Sequence, residues 1–150
     1  MATISETATE PASEKIVWSR FALAVLAAAG ASAAANALIY FIAASLGAMP
    51  QSVLTPRGEP VTLVPVAGSS IVGVLGGAIV FALLVWLTKR PISIFRVVAM
   101  VVLALSLLTP FSLPNAPLPM ILALELMHVA AGLITIYAFT TLPRETVLQV

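Results

Sequence analysis

Cysteine is missing from the 150 residues, aspartate is missing too, histidine occurs once, and charged residues make up only 9% of the chain. Each shortage closes a class of chemistry. Without cysteine there is no disulfide, thiolate metal site or thiol nucleophile, and the redox compartment is left open. One histidine and six acids, all of them glutamate, cannot supply a zinc site or the paired Glu-x-x-His set of a di-iron bundle, so no metal is expected. Seven Lys and Arg against six Glu give a formal net charge of +1, too weak and scattered to attract nucleic acid. The chain has no GxSxG, P-loop or GxGxxG, and nothing pairs a nucleophile with a base. An enzyme is therefore not expected, and no cofactor is called for.

What fills the sequence instead is apolar: 61% of residues are hydrophobic and the mean hydropathy is +1.12. A soluble domain carries about 45–50% apolar and about 25% charged residues, so the composition is that of a bilayer protein. A spanning helix needs about 20 apolar residues, and four stretches qualify, at about 21–49, 66–88, 92–109 and 120–142. The expected fold is an all-α four-transmembrane-helix bundle over residues 16–142. It is flanked by a polar N-terminal tail over 1–15, read as flexible, and a C-terminal tail over 143–150. Gly47 and Pro50 stop the first span, Pro91 suits the first turn of the third, and Pro110, Pro114, Pro117 and Pro119 stiffen the link to the fourth. Ala31-Ser32-Ala33 resembles a signal-peptide cleavage site, but the apolar run continues well past it, which favours a retained span. No internal repeat is visible.

Basic residues set the orientation, because Lys and Arg collect on the cytoplasmic side. Lys15, Arg20, Lys89, Arg90 and Arg144 fall on one side and Arg57 alone on the other, which predicts cytoplasmic termini. Trp18 and Trp86 fit an aromatic belt at that interface. The outer loop contains Val61-Thr62-Leu63-Val64 between Pro60 and Pro65, a strand-like stretch that could form a short β-hairpin or an edge for a partner.

Small residues dominate the expected packing. The first span is dense in alanine, and Ser69, Gly73 and Gly77 follow one another at steps of four along the second, a small-xxx-small ridge suited to close helix approach. Gly132 continues that theme on the fourth span. Four strongly polar side chains fall within the spans: Asn36, Arg96, Glu125 and His128. Arg96 can snorkel to the cytoplasmic headgroups. Glu125 and His128 lie roughly 8 and 12 Å below the outer end of the fourth helix at 1.5 Å per residue. At i,i+3 they share a face and can bond each other. With Asn36, Ser106 and Thr109 at similar depth, they make a candidate polar cluster, and Arg57 and Glu59 from the outer loop are candidate lids. The cluster reads either as a proton-titratable or ligand-binding site or as a structural pair that fixes helix rotation.

The layout also carries a resemblance. A Val64-Pro65-Val66 entry to the second helix, the Lys89-Arg90 turn, the exit from Ser106 to Pro110, and Leu126-Met127-His128-Val129-Ala130-Ala131-Gly132 in the fourth helix resemble a family of functionally uncharacterised bacterial integral membrane proteins. The likeness runs over about residues 20–142. It implies a bacterial inner-membrane four-helix protein with His128 as a family feature, and it supplies no activity. The reading that follows is a non-catalytic accessory or interaction subunit in the lipid bilayer, binding another membrane protein or a second copy of itself. The competing reading is a small proton-coupled transporter or ligand sensor using Glu125 and His128.

Overall fold

A computed structural model describes residues 15–145. The expected flexible tail therefore falls outside the described residues up to position 14, as do residues 146–150. Four long helices follow in order: α1 Trp18–Ser45, α2 Leu63–Leu87, α3 Pro91–Ser106 and α4 Leu118–Thr141. All four spans are long and apolar enough to cross a membrane, the third counted through the 3-10 turn Pro110–Ser112. The fold is thus an all-α four-helix bundle.

The helix ends follow from their local chemistry. α1 closes in a Schellman motif: Gly47 takes a positive φ of 74°, its N–H reaches Ala44 O, and Ala48 N reaches Ala43 O at 2.8 Å. A residue with a Cβ would resist that left-handed conformation. Pro91 opens α3, where its missing N–H costs no hydrogen bond. α2 begins earlier than its proline suggests. Leu63 and Val64, expected in an extended stretch, are already helical, because Pro65 sits in the first turn, where proline is tolerated.

The α1–α2 loop turns tightly at Thr55-Pro56-Arg57-Gly58. Gly58 N bonds Thr55 O and Thr55 N bonds Glu59 O, both at 2.8 Å, with Gly58 at φ +79°. The ladder stops at a single bridge between Leu54 and Pro60, since Pro60 has no N–H to extend it. At the opposite end of the bundle, β1 (Lys15–Ile16) pairs antiparallel with β2 (Arg144–Glu145), and Arg20 Nη1 donates to Arg144 O. The expected tails thus meet in a two-residue ladder.

Two clusters hold the bundle. Near the β1–β2 end, each helix contributes one phenylalanine: Phe21, Phe81, Phe95 and Phe139. Their ring centroids lie 5.0–6.0 Å apart in five pairs, within the favourable range for aromatic contacts. Near the α1–α2 loop, Val53 and Val61 pack with Met49, Val66, Met120, Leu124 and Met127. The loop is therefore seated on the ends of α1, α2 and α4. Most other large apolar side chains, Leu26, Ile79, Trp86 and Val102 among them, are exposed on the bundle surface, as lipid-facing residues should be.

Candidate functional site

Between the two clusters lies a cavity of about 470 Å³. α2 and α3 form its walls and α4 its floor, from Leu124 to Ile136, with Asn36 of α1 reaching it from behind. At 1.5 Å per residue the floor is about 18 Å long, more than half of a ~30 Å hydrocarbon core. The walls are mostly apolar: Val74, Val80, Val98, Val102 and Leu103, closed at the β1–β2 end by Phe95.

The space comes from missing side chains. A Cβ built on Gly73 or Gly76 would meet nothing within 4 Å. The small-residue ridge on α2 therefore divides. At Gly77 a Cβ would lie 3.3 Å from Thr135 Cγ2, a close approach to α4, whereas Ser69 and Gly73 border the open cleft rather than a packed helix. Gly132 has the tightest environment, its Cβ position only 2.8 Å from Leu103 Cδ1, so α4 touches α3 there.

Polar groups collect in the half of the cleft toward the α1–α2 loop. Asn36 is 5% exposed, and its Nδ2 donates to Ser70 Oγ at 2.8 Å; Ser70 Oγ in turn donates to Val66 O at 2.8 Å. The Oδ1 of Asn36 is buried and has no hydrogen-bond partner, and neither has the Oγ of Ser32, one turn away and 0% exposed. His128 Nδ1 bonds Leu124 O at 2.8 Å. Because a carbonyl only accepts, that nitrogen carries the proton. Nε2 then faces Thr109 Oγ1 at 3.4 Å, while the Thr109 hydroxyl donates to Ser106 O.

The expected polar residues are thus only partly brought together. Asn36, Ser106 and His128 line one cleft. Thr109 is exposed and touches His128 from outside the lining. Glu125 does not line the cleft; its Oε1 is buried without a partner, so the expected bond to His128 is absent. The reason is local: the imidazole finds the carbonyl four residues back on its own helix. Arg57 and Glu59 are exposed and border a separate small pocket with Thr55, Pro56, Pro60 and Pro65, which corrects their reading as lids of the cluster. Ser70 is the polar residue missed in the sequence. It sits on the buried stripe Val66, Ser70, Val74, Ala78 and Phe81, and the spacing of that stripe is its signal.

Among the described residues no group of three or more His or acidic side chains could hold a metal ion. No curated protein and no solved structure matches the chain. A family model does match, over residues 16–145, and the chain accordingly belongs to the family of unknown function DUF6069.

Proposed function

We propose that this is a non-catalytic accessory protein of the bacterial inner membrane that binds a bilayer-partitioned small molecule in the cleft between α2 and α3. Of the two readings open from the sequence, the geometry favours ligand binding. The observation that carries it is a cavity of about 470 Å³ with apolar walls and a few convergent polar groups at one end, the usual make-up of a small-molecule site, for which about 300–1,000 Å³ is typical. Glycines rather than bulky residues face its opening, so a ligand can enter sideways from lipid. Supporting the cytoplasmic placement of both termini, Arg20, Lys89, Arg90 and Arg144 share one end of the bundle and Arg57 lies at the other.

The test is native mass spectrometry of the full chain purified in mild detergent, comparing the wild type with Gly76→Leu. The new side chain has room, so the variant folds, and it projects into the cleft and narrows it. The expected result is a co-purifying small molecule on the wild type and its loss from the variant. A wild type carrying no small molecule, or a variant retaining it, overturns the reading. So does a stoichiometric protein partner or second copy whose association is abolished by the same substitution.

A further inference from the structure

The charges of α2 and α3 are unmatched. No acid occurs between positions 60 and 124, whereas Lys89 and Arg90 stand at the turn between the two helices and Arg96 follows in the first part of α3. All three are exposed, and none of their side chains has a hydrogen-bond or ion-pair partner among the described residues. Their end of the bundle offers little to neutralise them. Arg20 already donates to Arg144 O, and Glu145 on β2 stands opposite Lys15 in the ladder. The other end is balanced: Arg57 and Glu59 lie two residues apart in the α1–α2 loop, and residues 107–117 carry no charge.

Arg96 is the most constrained of the three. It lies five residues past Pro91 in α3, about 7.5 Å along the axis at 1.5 Å per residue. Its Cα is therefore within the apolar run, while its long side chain reaches back toward the headgroups. A guanidinium there keeps its charge and has five donors and no acceptor, so it needs an acceptor that the protein does not supply. Ser93, three residues earlier, shares that side of the helix. It is exposed, and its hydroxyl has no partner among the described residues, unlike those of Thr88, Ser106 and Thr135, which donate to carbonyls of their own helices. Trp86, 82% exposed and three residues before Lys89, adds an indole N–H. Residues 86–96 thus present three positive charges, two neutral donors and no carboxylate. Neither Ser93 nor Arg96 lines the cleft between α2 and α3, so this surface is separate from it.

We infer that this surface binds the headgroup of an anionic phospholipid in the leaflet at the β1–β2 end of the bundle. Arg96 and Ser93 donate to its phosphate, which accepts the two prongs of a guanidinium. Lys89 and Arg90 add the charge that separates it from a zwitterionic lipid, whose choline or ethanolamine cation they repel. A soluble phosphate would have to leave water to reach Arg96, whereas the phosphate of a lipid is already at the interface. An acidic protein segment could meet Lys89 and Arg90 but not a guanidinium rooted in the apolar run.

The experiment uses the full chain with Trp18→Phe, which leaves Trp86 as the one tryptophan. The protein is reconstituted in phosphatidylcholine vesicles in which a fixed share of the lipid is replaced by phosphatidylglycerol or phosphatidylcholine brominated near the head of the chain, and quenching of Trp86 gives their relative occupancy. Phosphatidylglycerol is expected to be preferred at least about fivefold, the contribution of one basic residue near an anionic surface. Arg96→Gln should remove most of that preference, and Arg96→Lys, which keeps the charge but not the planar fork, should retain part of it. Arg57→Gln, at the opposite end, should leave it unchanged. Arg96 is exposed and bonds nothing in the protein, so unchanged helicity by circular dichroism is expected for its variants. Equal quenching by the two lipids would overturn the inference. So would a preference that survives Arg96→Gln, which would mean diffuse attraction by the turn, or an equal fall in Arg57→Gln. Relief of quenching by inorganic phosphate at matched ionic strength would show a site for a soluble anion and would overturn the assignment to lipid.

Discussion

Replacing Phe81 with alanine tests what holds the β1–β2 end of the bundle. Phe81 is 0% exposed and, like Phe139, meets all three of the other rings, at 5.0 Å from Phe21, 5.2 Å from Phe95 and 6.0 Å from Phe139. In a water-soluble core, Phe→Ala costs about 3–5 kcal/mol, much of it the transfer of the ring from water. In a bilayer that part cancels, since a ring released from the bundle stays in hydrocarbon. What remains is pairing and packing. Three aromatic pairs at about 0.5–1.5 kcal/mol each give about 1.5–4.5 kcal/mol, and shared neighbours make the sum less than additive. A loss of about 2–3 kcal/mol is expected, read from reversible unfolding in mixed detergent micelles. Phe41→Ala is the control: Phe41 is 57% exposed and its one ring neighbour is Tyr40 at 6.0 Å, so its loss should stay within about 0.5 kcal/mol. Equal losses for the two variants would refute the idea that the four rings clamp the helices.

Four further outcomes are expected. In the same unfolding assay, Gly132→Ala is expected to be less stable than Gly73→Ala by up to about 1 kcal/mol, because the added methyl at position 73 meets open space while at 132 the end of the Leu103 side chain must turn aside. Ser70→Ala strands the Asn36 amide and costs about 1–3 kcal/mol, and adding Asn36→Leu to it restores part of the loss, a coupling read from the double-mutant cycle. Glu125→Gln leaves stability unchanged, because Glu125 Oε1 has no partner to lose; a loss above about 1 kcal/mol would reveal a bond made by the carboxylate. The cysteine-free sequence makes topology simple to read: Ser52→Cys should react with an impermeant maleimide on intact cells and Lys89→Cys only after permeabilisation, and the reverse pattern would invert the orientation.

The spans were legible because each is a long apolar run, and their ends because Gly47 and Pro91 act through the backbone alone. The start of α2 was not, since Pro65 looks like a boundary until the helix is known to begin within a turn before it. The site was legible residue by residue but not as an arrangement. Asn36 and His128 are conspicuous in any apolar segment, yet their partners depend on helix rotation. Ser69 drew attention by its four-residue spacing to Gly73 and Gly77, while its neighbour Ser70, about 100° around the helix, faces Asn36. The i,i+3 spacing of Glu125 and His128 gave a shared face but not a bond, because a backbone carbonyl at i−4 was closer to hand. The cleft itself is invisible in one dimension. It depends on α2 and α3 converging at Phe81 and Phe95 and leaving room beyond them.

That room has an energetic consequence. A closed void costs about 24 cal/mol per Å³ in a water-soluble core, but this cleft is open past Gly73 and Gly76, so its volume of about 470 Å³ need not stand empty. Two large side chains in place of Gly73 and Gly76 would occupy part of it. Glycine at those positions leaves the filling to the surroundings, and in a bilayer the surroundings are long apolar molecules. Any of them can occupy the walls formed by Val98, Val102 and Leu103. At the end toward the α1–α2 loop the lining turns polar, with Asn36, Ser69, Ser106 and His128. A ligand would thus be held by the apolar part of the cleft and oriented by that polar end.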